Sequence, residues 1–169
     1  MPLGKRRRRL PAGVAGVAGV AGVVFVLTAG ALASGCSEHS VGPARTYDDY
    51  ERKSRTSAEV ALSAVETVRL LAETSSDGNA WGAYTSVSIS EQEDTLAEVQ
   101  GDYASIQPPD HRSDDLRAEL TDLLSTATDH VAAVRIAVRR GNLDGLEEIA
   151  QPLIDDSDAL QQFLDSIER

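Results

Sequence analysis

The chain has 169 residues, a formal net charge of −11 and a single cysteine. All 27 acidic residues follow Cys36 and five of the 16 Lys and Arg precede it, so residues 36–169 carry a net charge of −16 and repel nucleic acid, anionic lipid head groups and anionic wall polymers. One cysteine excludes an intrachain disulfide and a two-cysteine haem attachment, which leaves stability to side-chain packing.

The first segment is read from its charge and its hydrocarbon. Lys5, Arg6, Arg7, Arg8 and Arg9 precede an uncharged run from Leu10 to Ala33. Positive charge beside an apolar segment resists translocation, so this basic end should stay cytoplasmic. The run is only moderately apolar because Gly13, Gly16, Gly19 and Gly22 recur among Val and Ala. As a helix at ~1.5 Å per residue it still reaches across ~30 Å of hydrocarbon. A cleaved signal and a retained anchor helix both fit. The small residues Ala33, Ser34 and Gly35 directly before Cys36 favour cleavage, since a signal peptidase takes a narrow, extended substrate.

Basic segment, apolar segment, small residues and then a cysteine: this order resembles a bacterial lipoprotein precursor, and the Ala-, Arg- and Asp-rich composition suits an actinobacterial one. The resemblance covers only the first 36 residues. It departs from the family at one point, where Ala33 stands in place of the usual leucine, with Leu32 one further back. It implies cleavage before Cys36, diacylglycerol on the Cys36 thiol and a fatty acyl group such as palmitate on the new amino group. The protein would then be held by its lipid on the outer face of the cell membrane. Residues 1–35 are the expected signal peptide, 36–45 the lipidated cysteine and tether, and 46–169 one folded domain. His39 lies beside Glu38 in the tether and has no clustered partner there, so it reads as a solvated residue.

From Thr46 the pattern is helical. Tyr47, Tyr50, Ser54, Ala58, Ala61, Val65, Val68 and Leu71 recur at three- and four-residue steps. Asp48/Arg52, Asp49/Lys53 and Glu51/Arg55 place an acid four residues before a base on the outer face. Ser75–Asn79 supplies turn chemistry. A second helix follows over 80–106, marked by Trp81, Tyr84, Val87, Ile89, Leu96, Val99, Tyr103 and Ile106. Thr85–Ser90 alternates like a strand, but no partner strand exists, and the helix is preferred. Pro108-Pro109 ends it.

The third helix, 111–140, is capped by Asp110 or Ser113 and stopped at Gly141. Its stripe is Leu116, Leu120, Leu123, Ala127, Val131, Val134 and Val138. The fourth, 143–167, is capped by Asn142 and carries Leu143, Leu146, Ile149, Leu153, Leu160, Leu164 and Ile167. Pro152 should kink it near Glu148. Four helices of similar length with short turns, each apolar on one side, give an all-α, up-down-up-down antiparallel four-helix bundle.

The bundle shows no expected metal or cofactor beyond the lipid. A di-iron site needs Glu three residues before His, and here Ala127 precedes His130 and Pro108 precedes His111. Asp155-Asp156-Ser157-Asp158 lacks the glycine and closing glutamate of a calcium loop and reads as an acidic outer face. Asp129 and His130 are neighbours in sequence and point ~100° apart on a helix. No catalytic constellation emerges, so the chain is not expected to be an enzyme.

Trp81 and Tyr84 should share one bundle end with Arg135, Arg139 and Arg140. They form either a lid over the core or an aromatic and basic partner contact. Tyr47, Tyr50, Tyr103 and Phe163 should fill the other end, near the tether. The expected role is a non-catalytic surface lipoprotein that contacts an envelope protein, a binding or regulatory accessory. The alternative is a small-ligand binder with a pocket near Pro152.

Overall fold

A computed structural model describes residues 42–76 and 82–168. They belong to the second of two units, Ser40–Arg169; Met1–His39, with the signal-like segment and Cys36, falls outside the described residues, as does Trp81. The described chain is an all-helical bundle without strands. Its helices are α1 Tyr47–Ser76, α2 Gly82–Ser105, α3 His111–Arg139, α4 Leu146–Ala150 and α5 Pro152–Ile167. The strand-like alternation of Thr85–Ser90 lies within α2.

Local chemistry sets most boundaries. Thr46 Oγ1 accepts from the Asp49 N–H at the start of α1 (3.1 Å). Asp110 caps α3, its Oδ1 accepting from the Ser113 N–H (2.9 Å) and hydroxyl (2.8 Å). Those bonds hold the Asp110 carboxyl below the usual carboxylate range. Gly141, at φ +73°, takes the left-handed position after α3. The Gly141 N–H bonds the Val138 carbonyl and the Asn142 N–H bonds the Ala137 carbonyl, the paired closure typical of such an end.

The fourth arm differs from the sequence expectation. Its helix begins at Leu146 with Gly145 in the cap position, so Asn142, three residues earlier, does not cap it. The cap arrives from another helix. Ser76 Oγ, on the last turn of α1, accepts from the Glu147 N–H (3.1 Å) and donates to the Leu143 carbonyl (3.2 Å). Pro152 then divides the arm, since it offers no N–H to the Glu148 carbonyl; the Gln151 N–H bonds that carbonyl instead (3.3 Å). Gln151 keeps helical dihedrals (φ −52°, ψ −41°), so the hydrogen-bond ladder breaks while the arm continues.

Long-range contacts fix the antiparallel order. Arg55, near the start of α1, pairs with Glu168 (2.7 Å) and donates to the Ile167 carbonyl (3.0 Å). Arg117 on α3 donates to the Ala104 carbonyl at the end of α2 (2.7 Å). The Arg112 guanidinium lies over the Tyr47 ring, 4.2 Å from its centre. The starts of α1 and α3 therefore meet the ends of α2 and α5. Two surface pairs differ from expectation: Arg52 pairs with Asp49 rather than Asp48, and Arg55 reaches Glu168 rather than Glu51.

The bundle is not square in section. α1 contacts all four other helices, whereas α2 contacts only α1 and α3. α1 and α3 thus face each other across the short diagonal. Their buried small residues permit this approach: Ala58, Ala61, Ala64 and Ala72 on α1, Ala127 and Ala137 on α3. Larger side chains fill the remaining core, with Ile89, Leu96, Leu120, Leu124, Leu146, Leu153 and Leu160 fully buried, each worth roughly 1.5–3 kcal/mol of transfer free energy.

Two stripe assignments change. On α3 the core position is Leu124, and Leu123 is only partly buried. On α2, Tyr84 and Val87 face solvent, and Thr85, Ile89, Leu96 and Tyr103 face the core. Thr85 is accommodated by a 2.8 Å hydrogen bond between its Oγ1 and Ser75 Oγ.

Candidate functional site

The chain enters the bundle at Gly42–Thr46, directly before Tyr47, which lies under Arg112 at the start of α3. Tyr50 and Tyr103 fill this end, their ring centres 5.7 Å apart, and Phe163 is buried in the same core cluster. The Tyr103 hydroxyl is shared with Ser54 Oγ (2.9 Å) and reaches the Leu116 carbonyl (3.4 Å). Burial pushes the Tyr103 phenol up, so it stays a neutral hydroxyl. The expectation that these tyrosines fill the tether-side end holds for Tyr50 and Tyr103, while Tyr47 lies at the surface under Arg112.

The distal end lies one bundle length away, roughly 45 Å for the 30 residues of α1. Here Gly82 at the head of α2 packs towards Leu143 in the α3–α4 turn. Tyr84 is 62% exposed and Val87 58%. Ile136 is 40% exposed, and Arg139 and Arg140 are exposed at the foot of α3. Neither of these two arginines has an ion-pair partner among the described residues. Arg135 does not join them, because its guanidinium pairs with Glu93 across the α2–α3 seam. That pair fixes the register of α2 against α3. Towards the distal end it is followed by Val87 and Tyr84 on one helix and by Arg139 and Arg140 on the other. Tyr84 is not a lid, since most of its surface meets solvent.

A polar arrangement missed in the sequence lies between α3 and α5. His130 Nδ1 and Asp156 Oδ2 are 2.7 Å apart. Asp156 is buried and His130 is half-buried. Asp156 and Ser157 are therefore not part of an acidic outer face: both turn into the bundle, and Asp155 and Asp158 remain outside. Burial raises the Asp156 carboxyl, opposed by the hydrogen bond and charge of His130. Among the described residues no group of three or more His, Cys, Asp or Glu is placed to hold a metal ion.

The same seam widens towards the tether end into an open groove of about 420 Å³, lined by Glu119, Leu123, Ala159, Gln162, Phe163 and Asp165. A shallower depression runs along the outer face of α1 past Glu66, Arg69 and Leu70. Neither is at Pro152, which is exposed on the outer side of its arm. No family model, curated protein or solved structure matches this chain.

Proposed function

We propose that this protein is a lipid-anchored, non-catalytic accessory of the cell envelope, attached to the membrane through Cys36 and contacting an acidic protein partner through its distal end. The observation that carries the reading is the position of Arg139 and Arg140. They are adjacent, exposed and without an ion-pair partner among the described residues, on a domain of net charge −16. They lie at the end opposite the entry of the tether. Tyr84, Val87 and Ile136 add exposed apolar surface at the same end. Exposed apolar groups beside unpaired arginines suit an acidic protein surface better than a lipid or a nucleic acid. Replacement of Arg139 and Arg140 by Ser, followed by crosslinking in intact cells, tests this. The expected result is loss of a crosslinked product that wild type gives, with the helical content unchanged, and a similar loss for wild type at raised salt. Unchanged crosslinking removes the distal end from the reading.

A further inference from the structure

The α3–α5 seam has one register along its length. His130 pairs with Asp156. Seven residues back on α3 and seven forward on α5, Leu123 and Phe163 line the same groove. Seven residues are two helical turns, so the bridge closes one end of the seam and the groove opens ~10 Å beyond it. Its floor is apolar: Leu123 and Ala159 are partly buried and Phe163 is buried. Its rim is acidic. Glu119 is exposed and makes no ion pair among the described residues, and Asp165 accepts from Gln161 Nε2 (2.9 Å).

We propose that this groove docks a basic amphipathic helix of a partner protein. About 420 Å³ lies in the ~300–1,000 Å³ range of binding sites. The groove is open along two helices rather than enclosed, the shape taken by a helix laying one apolar face between two others. The floor takes an apolar anchor. The Glu119 carboxylate takes a Lys or Arg one turn from that anchor towards the tether end, and the −16 charge of the domain favours such a partner at long range. An acidic helix, the partner chemistry of the distal end, is repelled here, so the two surfaces select opposite partners.

The test uses the full-length protein in nanodiscs of zwitterionic lipid, with a photo-crosslinking residue in place of Gln162. The probes are a synthetic peptide with Leu and Lys at helical spacing and its Leu/Glu counterpart. The Lys peptide is expected to crosslink and the Glu peptide is not. Glu119→Lys should weaken the Lys peptide about tenfold, and the milder Glu119→Gln by less. Arg139→Ser with Arg140→Ser should leave this binding unchanged, which separates the groove from the distal contact. Equal crosslinking of both peptides, crosslinking of neither, or an affinity indifferent to Glu119 overturns the proposal. So does crosslinking to lipid rather than peptide in anionic nanodiscs, which would make this face a membrane contact.

Discussion

His130 and Asp156 join α3 to α5 across 26 residues of sequence by a single 2.7 Å contact. The carboxylate is buried and the imidazole is half-buried. The hydrogen bond to His130 offsets part of the cost of burying the carboxylate.

The pH dependence follows from the raised Asp156 carboxyl. The folded protein holds this proton more tightly than the unfolded chain does. The stabilisation is therefore full below the unfolded value of 3.8 and is lost as pH rises through the folded one. Asp110, lowered by its cap bonds, acts in the opposite sense and loses stabilisation as pH falls. Asp156→Asn removes the charge and keeps an acceptor for His130. Urea melts across pH should show the Asn variant gaining on wild type as pH rises above 3.8. A difference that is flat, or that widens towards acid, contradicts the assignment.

Leu124 and Leu123 give a sharp test of the packing. Leu124→Asp should unfold the protein, because an unpaired buried charge costs several kcal/mol against a total stability of about 5–15 kcal/mol. Leu123→Asp, at the partly exposed groove floor, should cost about 1 kcal/mol and leave the protein folded. Thermal melts followed by circular dichroism separate the two, and equal losses would mean that the α3 stripe is set one residue off.

The two buried tyrosines should respond in opposite directions. Tyr103→Phe removes the hydroxyl that joins Ser54 to the Leu116 carbonyl, at a cost of about 1–2 kcal/mol. The Tyr50 hydroxyl is buried beside that of Tyr103, and among the described residues no group meets it with the geometry of a hydrogen bond. Tyr50→Phe should therefore be neutral or stabilising by up to ~1 kcal/mol. Denaturant midpoints compare them; a Tyr50 variant as damaged as the Tyr103 variant would show that the Tyr50 hydroxyl has a partner.

Lipid attachment is testable apart from the bundle. Cys36→Ala should abolish incorporation of labelled fatty acid and let unprocessed precursor accumulate. Normal labelling of that variant removes Cys36 from the proposal.

What could be read from sequence was what neighbouring residues decide. Asp110 and Gly141 mark the limits of α3 because a cap and a left-handed stop act within one turn. The antiparallel order followed from stripes and short connections. Asp156 could not be read, because its burial depends on His130 in another helix, and aspartates on both flanks mimic a solvated face. Leu123 was taken for Leu124 because adjacent leucines both fit a period near 3.6. The exposure of Tyr84 and Val87 was hidden for a different reason: apolar residues reveal a face only when something packs on it, and α2 has no neighbour across the long diagonal. Of the proposed distal contact, the arginine pair was visible in sequence, but the removal of Arg135 by Glu93 was not.

The rhombic section also bears on local motion. α2 rests on two helices and buries four of its 24 residues, whereas α1 rests on four helices and buries ten of 30. Segments with few buried contacts open at the lowest free-energy cost, so amide hydrogens in α2 should exchange before those in α1. Such an opening uncovers α1 and α3 but leaves α5 in place. Tyr84 and Val87 thus ride on the element that opens first, while the α3–α5 groove keeps both of its walls. A partner at the distal end meets a surface able to adjust, and a helix entering the groove meets one already formed.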